Sequence, residues 1–375
     1  MRTILQLTFK ISIYLGLPLF LILGGLWLYR NHHRTLVSQE FLVAKPGFMG
    51  VETIVTAGGE QKLVVLRAGY HQPAIIFFHG GPARPESAFA PQILKDLNST
   101  FSLYFWDQAG SGLSYPGTDF SVLSWDRLKA DALEVVEDIA SKHQQVFISA
   151  HGYGCLLALH TAKLTTNTVS GLLLNSPLLQ PLQDLLSART HMMEMARVLQ
   201  NSRAYAQLDE ISLPLSANEA IRIEQWVSRL GGEIYQKGTF REALRMSWYS
   251  PFYDLSDLWS LDRGIIQSIP RLFSGLMQEN LSTLDSLEVP VLLLIGEKDF
   301  RIPEKRVSSW FSNLNAPQKQ EIRFPEAAHY PQVESTKKWM EEVRKFVSQT
   351  LPESDESAAK DRASAHAEIP LNQNP

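Results

Sequence analysis

Residues 146–156 carry the feature that most constrains the fold, a short apolar run followed by small residues and then by a helical pattern. Residues 146–148 are Val-Phe-Ile, which is typical of a buried strand. The pentapeptide Ala-His-Gly-Tyr-Gly follows at 150–154, and leucines at helical spacing begin at Leu156. We therefore predict a strand that passes through a sharp turn directly into a helix.

The turn at 150–154 matches a known catalytic motif except at one position. A strand, a sharp turn and a helix in this order resemble the nucleophile elbow of the α/β-hydrolases, written Gly-x-Ser-x-Gly. Gly152 stands at the serine position. Glycine adopts positive φ without steric cost, but it has no hydroxyl that could attack a carbonyl carbon. The sequence predicts an elbow that keeps its shape and lacks its nucleophile.

Alternating strand and helix patterns on both sides of the elbow indicate the fold class. A hairpin is predicted around the glycines at 58–59, and further apolar runs predict strands at 74–78, 103–106, 169–174, 289–295 and 321–324. Apolar runs without alternation are typical of strands covered on both faces. Together with helical patterns at 125–142 and 335–351, they favour a doubly wound, mostly parallel α/β sheet.

Between about residues 177 and 285 the strand patterns give way to helical ones, which predicts an inserted helical cap. We expect a membrane anchor at 1–34 and a sheet-bearing core in two parts, at 45–176 and 286–351. The cap lies between these parts at 177–285, and a polar tail at 352–375 is expected to be disordered.

Composition excludes several classes of function. The chain has 375 residues, 45% hydrophobic content and a net charge of −4, which is not the basic balance of a nucleic-acid-binding protein. Its one cysteine cannot form an intramolecular disulfide, and its ten histidines lack metal-ligand spacing. We expect no metal, no cofactor and no nucleic-acid partner.

An uncharged apolar run extends from Ile11 to Tyr29. As a helix it would span roughly 28 Å, close to the thickness of a bilayer core. The alternative is a cleaved signal peptide, but the run is long and Trp-Leu-Tyr-Arg at 27–30 gives no small-residue cleavage site. We expect a single-pass N-terminal anchor. Its orientation stays open, because Arg2 and Lys10 nearly balance Arg30 and Arg34.

Further segments carry a resemblance that covers most of residues 45–350. They are His-Gly-Gly-Pro at 79–82, Asp-Gln-Ala-Gly-Ser-Gly-Leu-Ser at 107–114, the altered elbow, and Asp299 and His329 after later strands. In this order and spacing they resemble the proline-iminopeptidase-like branch of the α/β-hydrolases, whose members have a helical lid. Ser111 and Ser114 match structural turn residues of that branch, so neither is expected to be a nucleophile.

The resemblance implies roles for several residues. Asp299 would orient His329, whose Nε2 would face the elbow, with Glu297 as the weaker alternative for the acid. The N–H groups of Gly81 and Tyr153 would form the oxyanion hole. None of these roles requires a side chain at Gly152.

The resemblance also implies a substrate class, namely peptides with a free N-terminal residue, often proline. Glu233 is a candidate to bind the ammonium group, and a solvated charge at a helix end is an equal alternative. Gly80, beside Gly81, would let the backbone approach the substrate closely. Small esters and amides remain alternatives.

Three groups could replace the missing hydroxyl. Cys155 is one turn beyond the elbow and is expected to pack as a small apolar residue. Ser149 lies inside the strand and is expected to face the core or a helix. The third is a water activated by His329 and oriented through Asp299.

Three hypotheses follow. The first is a membrane-anchored protein that binds a small molecule or short peptide under its cap and has lost covalent catalysis. The second is a working hydrolase or lyase that uses the Asp299–His329 pair on water or on a substrate proton. The third is a structural membrane partner in which the pocket has no role.

Overall fold

One mixed β-sheet forms the centre of the protein. The structure is a computed structural model and describes residues 17–44, 47–67, 69–165, 167–236, 238–302 and 304–351. Over these residues the sheet has eight strands in the order β1-β2-β4-β3-β5-β6-β7-β8. Their bounds are β1 Phe48–Thr56, β2 Gly59–Arg67, β3 Ala74–Phe78, β4 Ser102–Asp107, β5 Val146–His151, β6 Gly171–Asn175, β7 Val291–Gly296 and β8 Lys319–Phe324.

The strand pairing confirms the predicted doubly wound, mostly parallel sheet. β1 and β2 form the predicted hairpin, with Thr56 opposite Gly59, and β2 pairs antiparallel with β4. The other neighbours pair in parallel. Since parallel neighbours end at the same edge, the loops after β3, β5, β7 and β8 meet at one end of the sheet.

Helices cover both faces of the sheet. In chain order they are α1 Leu17–Ala44, α2 Ala90–Leu94, α3 Trp125–Ala140, α4 Gly154–Leu164, α5 Pro181–Val198, α6 Ser202–Asp209, α7 Ala217–Arg229, α8 Thr239–Trp248, α9 Leu255–Met277, α10 Glu304–Asn313, α11 Pro331–Glu334 and α12 Thr336–Thr350. Alternate residues of each central strand enter different apolar clusters. Ile148 packs with α3 and α4 on one face, whereas Phe147 packs with α12 on the other.

Helices α5 to α9 lie between β6 and β7 and form the cap. The first three have an apolar cluster of their own, centred on Met192, Ile223 and Trp226. α9 contacts α3 in the core and also α5 and α7. The cap therefore sits over the sheet end at which the loops after β3 and β5 meet.

The N-terminal helix differs from the predicted arrangement. A connector was predicted after residue 34, but α1 continues to Ala44. Its second half is held on the domain because Arg30 and Phe41 are buried there. No helix in the described residues combines the length and the apolar character needed to span a bilayer. Residues 1–16 of the predicted anchor, and the tail at 352–375, lie outside the described residues.

Candidate active site

The elbow has the predicted strand–turn–helix geometry. Gly152 follows β5 directly and has φ 55°. Its N–H donates to the carbonyl of Asn175 at 3.0 Å, and its own carbonyl accepts from Cys155 N and Leu178 N, each at 3.2 Å. These bonds fix the tip of the turn without any side chain at position 152.

Asp299 and His329 are brought together at this tip. Asp299 follows β7 and His329 follows β8, and Asp299 Oδ2 lies 2.8 Å from His329 Nδ1. The other carboxylate oxygen accepts from the N–H groups of Arg301 and Ile302, at 2.9 and 3.2 Å. The carboxylate is therefore fixed in the position that orients the imidazole.

The second nitrogen of His329 faces the elbow. His329 is fully buried, and its Nε2 has no hydrogen-bond partner among the described residues. A Cβ built on Gly152 would lie 3.1 Å from that nitrogen. A buried unpartnered nitrogen costs free energy, and here it lies where a hydroxyl at position 152 would bind.

Burial sets the protonation of this pair. Desolvation raises the pKa of Asp299 to about 7, although the N–H groups and the charge of Arg301 act in the opposite direction. Desolvation also lowers the pKa of His329 well below its ordinary value, and the nearby His151 and Arg301 add to that effect. The imidazole is neutral at physiological pH and is a weak base.

A buried ionic network lies beside the pair. Arg301 is 2.7 Å from Glu224 and 3.5 Å from Glu233, and Arg84 is 3.1 Å from Glu233. Burial acts to raise the pKa of Glu233, but Arg84 and Arg301 hold it below its ordinary value. Arg301 also donates to the carbonyl of Gly81 at 3.3 Å. The network thus connects the cap to the predicted oxyanion loop.

The carboxylate of Glu233, predicted as a candidate for amine binding, is compensated by these two arginines. The backbone carbonyl of Glu233 accepts from the N–H of His329 at 3.1 Å. Glu233 therefore helps to position His329, and its role in binding an amine stays a prediction.

A second histidine–carboxylate pair lies next to the first. His151, just before the elbow tip, contacts Glu86 through Nδ1 at 2.5 Å and the carbonyl of His329 through Nε2 at 2.9 Å. Glu86 also accepts from the N–H of Gly80 at 3.4 Å. Burial acts to raise the pKa of Glu86, and His151 outweighs it, so the pKa is lowered. This pair fixes the backbone of the elbow, the His329 loop and Gly80 relative to one another.

A cavity opens between the elbow and the cap. It has a volume of about 60 Å³, and Gly81, Tyr153, Arg84, Glu224 and Arg301 form its polar end. The rest of the lining is mainly apolar and comes from the loop after β6 and the cap, with Leu178, Leu185, Ile265, Ile269, Phe273, Leu276 and Met277 among its residues. Gly81 has φ 137°, which favours glycine. Both predicted oxyanion-hole residues therefore line one cavity.

The other candidate nucleophiles point elsewhere. Cys155 is fully buried, its Sγ lies 3.7 Å from the carbonyl of Asn175, and burial raises the pKa of its thiol. Ser149 contacts the amide of Asn175 at 3.3 Å. Ser111 donates to the carbonyl of Gln108, and Ser114 accepts from the N–H of Lys62. Each of these groups has a structural partner.

Five residues of the candidate site were not predicted from the sequence, namely Arg84, Glu86, His151, Glu224 and Arg301. His151 and Arg301 lie within two residues of predicted site positions, which is the only sequence signal they give. Arg84 and Glu224 are far apart in the chain and are joined through Glu233 and Arg301, because the cap packs on the core. No cluster of metal-binding side chains occurs in the part of the chain that the structure describes.

Comparison with known proteins identifies the family of this chain. The family model for serine aminopeptidases of family S33 matches residues 69–336, more than half of the chain. The chain belongs to the S33 serine aminopeptidase family. Among curated proteins, this family member is similar to a probable aminopeptidase, YbaC, of Bacillus subtilis (strain 168). The two are 24% identical over 292 residues, which cover 73% of this chain and 89% of the relative.

Solved structures show the same fold at low sequence identity. A proline iminopeptidase of Mycobacterium smegmatis superposes with a TM-score of 0.59 at 15% identity, covering 80% of this chain and 98% of that one. A proline iminopeptidase-related protein of Thermus thermophilus gives 0.57 at 17% identity, covering 81% and 100%. An esterase of Thermogutta terrifontis gives 0.54 at 17%, covering 80% and 99%. The S33 family member thus has an α/β-hydrolase fold.

Proposed function

We propose that this S33 family member binds a small molecule or short peptide under its cap and has lost covalent catalysis. The observation that carries the proposal is Gly152 at the elbow tip, facing an otherwise assembled Asp299–His329 pair. Acyl transfer requires a nucleophile at that point, and glycine supplies only hydrogen.

The parts that remain can support weak catalysis at most. In serine hydrolases that lack a member of the triad, the oxyanion hole and binding leave roughly 10³–10⁴-fold acceleration over water. Ordinary enzymes reach about 10⁶-fold or more. The protein is therefore proposed as a pseudo-hydrolase whose cavity binds a ligand without efficient turnover.

A second candidate function is hydrolysis or proton abstraction by His329 acting on water or on the substrate itself. The buried, unpartnered Nε2 of His329 favours it. The lowered pKa of His329 opposes it, since a weaker base accepts a proton from water less readily. If this function holds, His329→Ala abolishes a measurable activity of the unmodified chain, whereas serine-directed fluorophosphonates do not label that chain.

We further propose that the apolar segment from Ile11 to Tyr29 attaches the protein to a membrane. The described part of that segment supports this, because its side chains from Leu19 to Tyr29 are exposed and apolar apart from two glycines. Such a surface is unfavourable in water. Flotation of the full chain with lipid vesicles tests the attachment.

Restoring the hydroxyl tests the loss of catalysis. Gly152→Ser places an oxygen next to His329 Nε2 after a shift of a few tenths of an ångström. Hydrolysis of aminoacyl arylamides and short-chain esters should rise at least about 100-fold over the parent, the gap between residual and ordinary enzymatic acceleration.

Gly152→Ala is the matched control, because it adds the same Cβ at the same positive φ without a hydroxyl. Its rate of hydrolysis should stay at the level of the parent. A parent that already turns over these substrates as fast as Gly152→Ser would refute the proposal.

A further inference from the structure

We propose that the outer face of the cap docks on the surface of a lipid bilayer, beside the N-terminal helix. The docking face consists of Phe240, Leu244 and Trp248 on α8 and Leu255 and Trp259 on α9. The inference rests on the membrane attachment proposed above, and it adds that the cap itself enters the headgroup region.

The docking face is apolar and exposed. α8 has no buried residue, and Phe240, Leu244 and Trp248 follow one another at intervals of four, which places them on one stripe of the helix. They are 60%, 55% and 44% exposed, and Leu255 and Trp259 are 43% and 70% exposed. A surface helix normally turns such a stripe toward the core. Here the stripe faces outward.

The N-terminal helix indicates that a lipid bilayer covers the docking face. From residue 19 to residue 29 apolar side chains project on all sides of α1, and a Cβ at Gly24 or Gly25 would meet nothing within 4 Å. A second copy of the chain would cover one stripe of the helix. A helix that is apolar all round fits the interior of a bilayer. We therefore infer that a lipid bilayer covers this side of the molecule.

Two arginines join that helix to the docking face. Arg30, which is 1% exposed, donates to the carbonyl of Trp248 at 2.9 Å and to that of Tyr253 at 2.8 Å. Its guanidinium also lies 5.4 Å from the ring centre of Trp248. Arg34 donates to the carbonyl of Ser250 at 3.0 Å. The apolar half of α1 thus leaves the domain where α8 ends and α9 begins.

The residues around this junction are of the types found at membrane interfaces. The ring of Tyr249 lies 6.3 Å from that of Tyr29 and 4.9 Å from that of His33, and tyrosine and tryptophan are enriched at the headgroup level.

Both charge signs occur beside the docking face. Arg241 and Arg245 are exposed on α8, where their long stems can extend toward headgroups. The acidic Glu242 is exposed there as well and is paired with Arg245 at 2.5 Å. On α9, Asp262 and Arg263 are exposed next to each other. These five charges sum to only +1, so the apolar stripe is left to drive docking.

Site-directed fluorescent labelling tests the docking face directly. The single native cysteine, Cys155, is fully buried, so a polarity-sensitive nitrobenzoxadiazole label reports an introduced cysteine. Phe240→Cys, Leu244→Cys and Trp259→Cys are made in the full chain, which is reconstituted with phosphatidylcholine vesicles. Leu164→Cys is the matched control, since Leu164 is 72% exposed at the end of α4 that points away from the elbow and the cap.

Labels at 240, 244 and 259 should shift to shorter wavelength with vesicles and lose emission when the lipids carry acyl-chain spin labels. A depth of about 5–10 Å is typical of an interfacial helix. The label at 164 should do neither. If the chain floats with the vesicles and the cap labels are unquenched, docking is refuted and the attachment stands.

Two other outcomes overturn the inference. Labels that become shielded without lipid quenching would mean that a second copy of the chain covers the face. A chain that does not float with the vesicles would remove both the docking and the attachment, while leaving the proposal about Gly152 untouched.

Discussion

The two halves of the candidate active site differ in how much of a hydrolase they retain. The acid–base half is complete, because Asp299 and His329 lie 2.8 Å apart and two N–H groups hold the carboxylate. The elbow half keeps its backbone bonds and its positive φ, but position 152 has no side chain. The comparison teaches that backbone hydrogen bonds are enough to set the shape of the elbow. Covalent catalysis requires in addition a hydroxyl at position 152.

Removing the acid–base half from a restored site should have the largest effect. In the Gly152→Ser background, His329→Ala or Asp299→Asn should each lower kcat by at least about 100-fold, to the level of the parent, because the serine loses its base or the base loses its orientation. Steady-state kinetics with an aminoacyl arylamide measures this. Full activity in either double variant would show that the retained pair is not a catalytic relay.

Stability provides the next test of what keeps the acid–base half in place. Arg301→Met removes the buried guanidinium that pairs with the partly buried Glu224 and the buried Glu233, and should lower the free energy of unfolding by about 3–5 kcal/mol. Denaturant unfolding measures the change. Arg84→Met is the matched control; Arg84 is about one-third exposed, so its loss should cost about 1 kcal/mol or less. Equal effects of the two substitutions would contradict a buried network centred on Arg301.

The pH dependence of the restored enzyme sharpens the comparison further. Burial raises the pKa of Asp299 to about 7 and lowers that of His329, so the pair takes up a proton as pH falls through about 7. On either residue that proton removes the neutral imidazole oriented by an anionic carboxylate. Activity of Gly152→Ser should be present above pH 7 and fall as pH drops through about 7. A fall only near pH 4, the ordinary range of a carboxyl group, would show that burial does not raise the pKa of Asp299.

The smallest effect is expected at Cys155, whose thiol is packed and not reactive. Cys155→Ala in the Gly152→Ser background should leave kcat unchanged and destabilise the fold by about 1 kcal/mol, the cost of a small core deletion. A thermal melt and the same kinetic assay measure both quantities. Loss of activity without loss of stability would assign a chemical role to the thiol.

The sequence predicted the parts of the site that depend on local pattern. The elbow and the sheet follow from apolar runs and from the order of the strand and helix patterns. The resemblance to the proline-iminopeptidase-like hydrolases implied the pairing of Asp299 with His329. The network of Arg84, Glu224 and Arg301 could not be predicted, since it joins residues far apart in the chain through the docking of the cap. For the same reason the sequence left Glu233 as either an amine-binding carboxylate or a solvated charge, whereas the structure pairs it with Arg84 and Arg301.

The N-terminal region shows the same limit. Residues 35–44 have no strong local signal for a helix, and they continue α1 because Arg30, Arg34 and Phe41 pack on the domain. Tertiary contacts decide such boundaries more often than propensity does.

The central claim is that, among the residues that the structure describes, no side chain at the cavity of the unmodified protein can act as an acyl acceptor. Mapping covalent adducts by peptide mass spectrometry after reaction with a fluorophosphonate tests it most directly, with Gly152→Ser as the positive control. The account predicts an adduct on residue 152 of that variant and none on the parent. An adduct on any cavity side chain of the parent would contradict it.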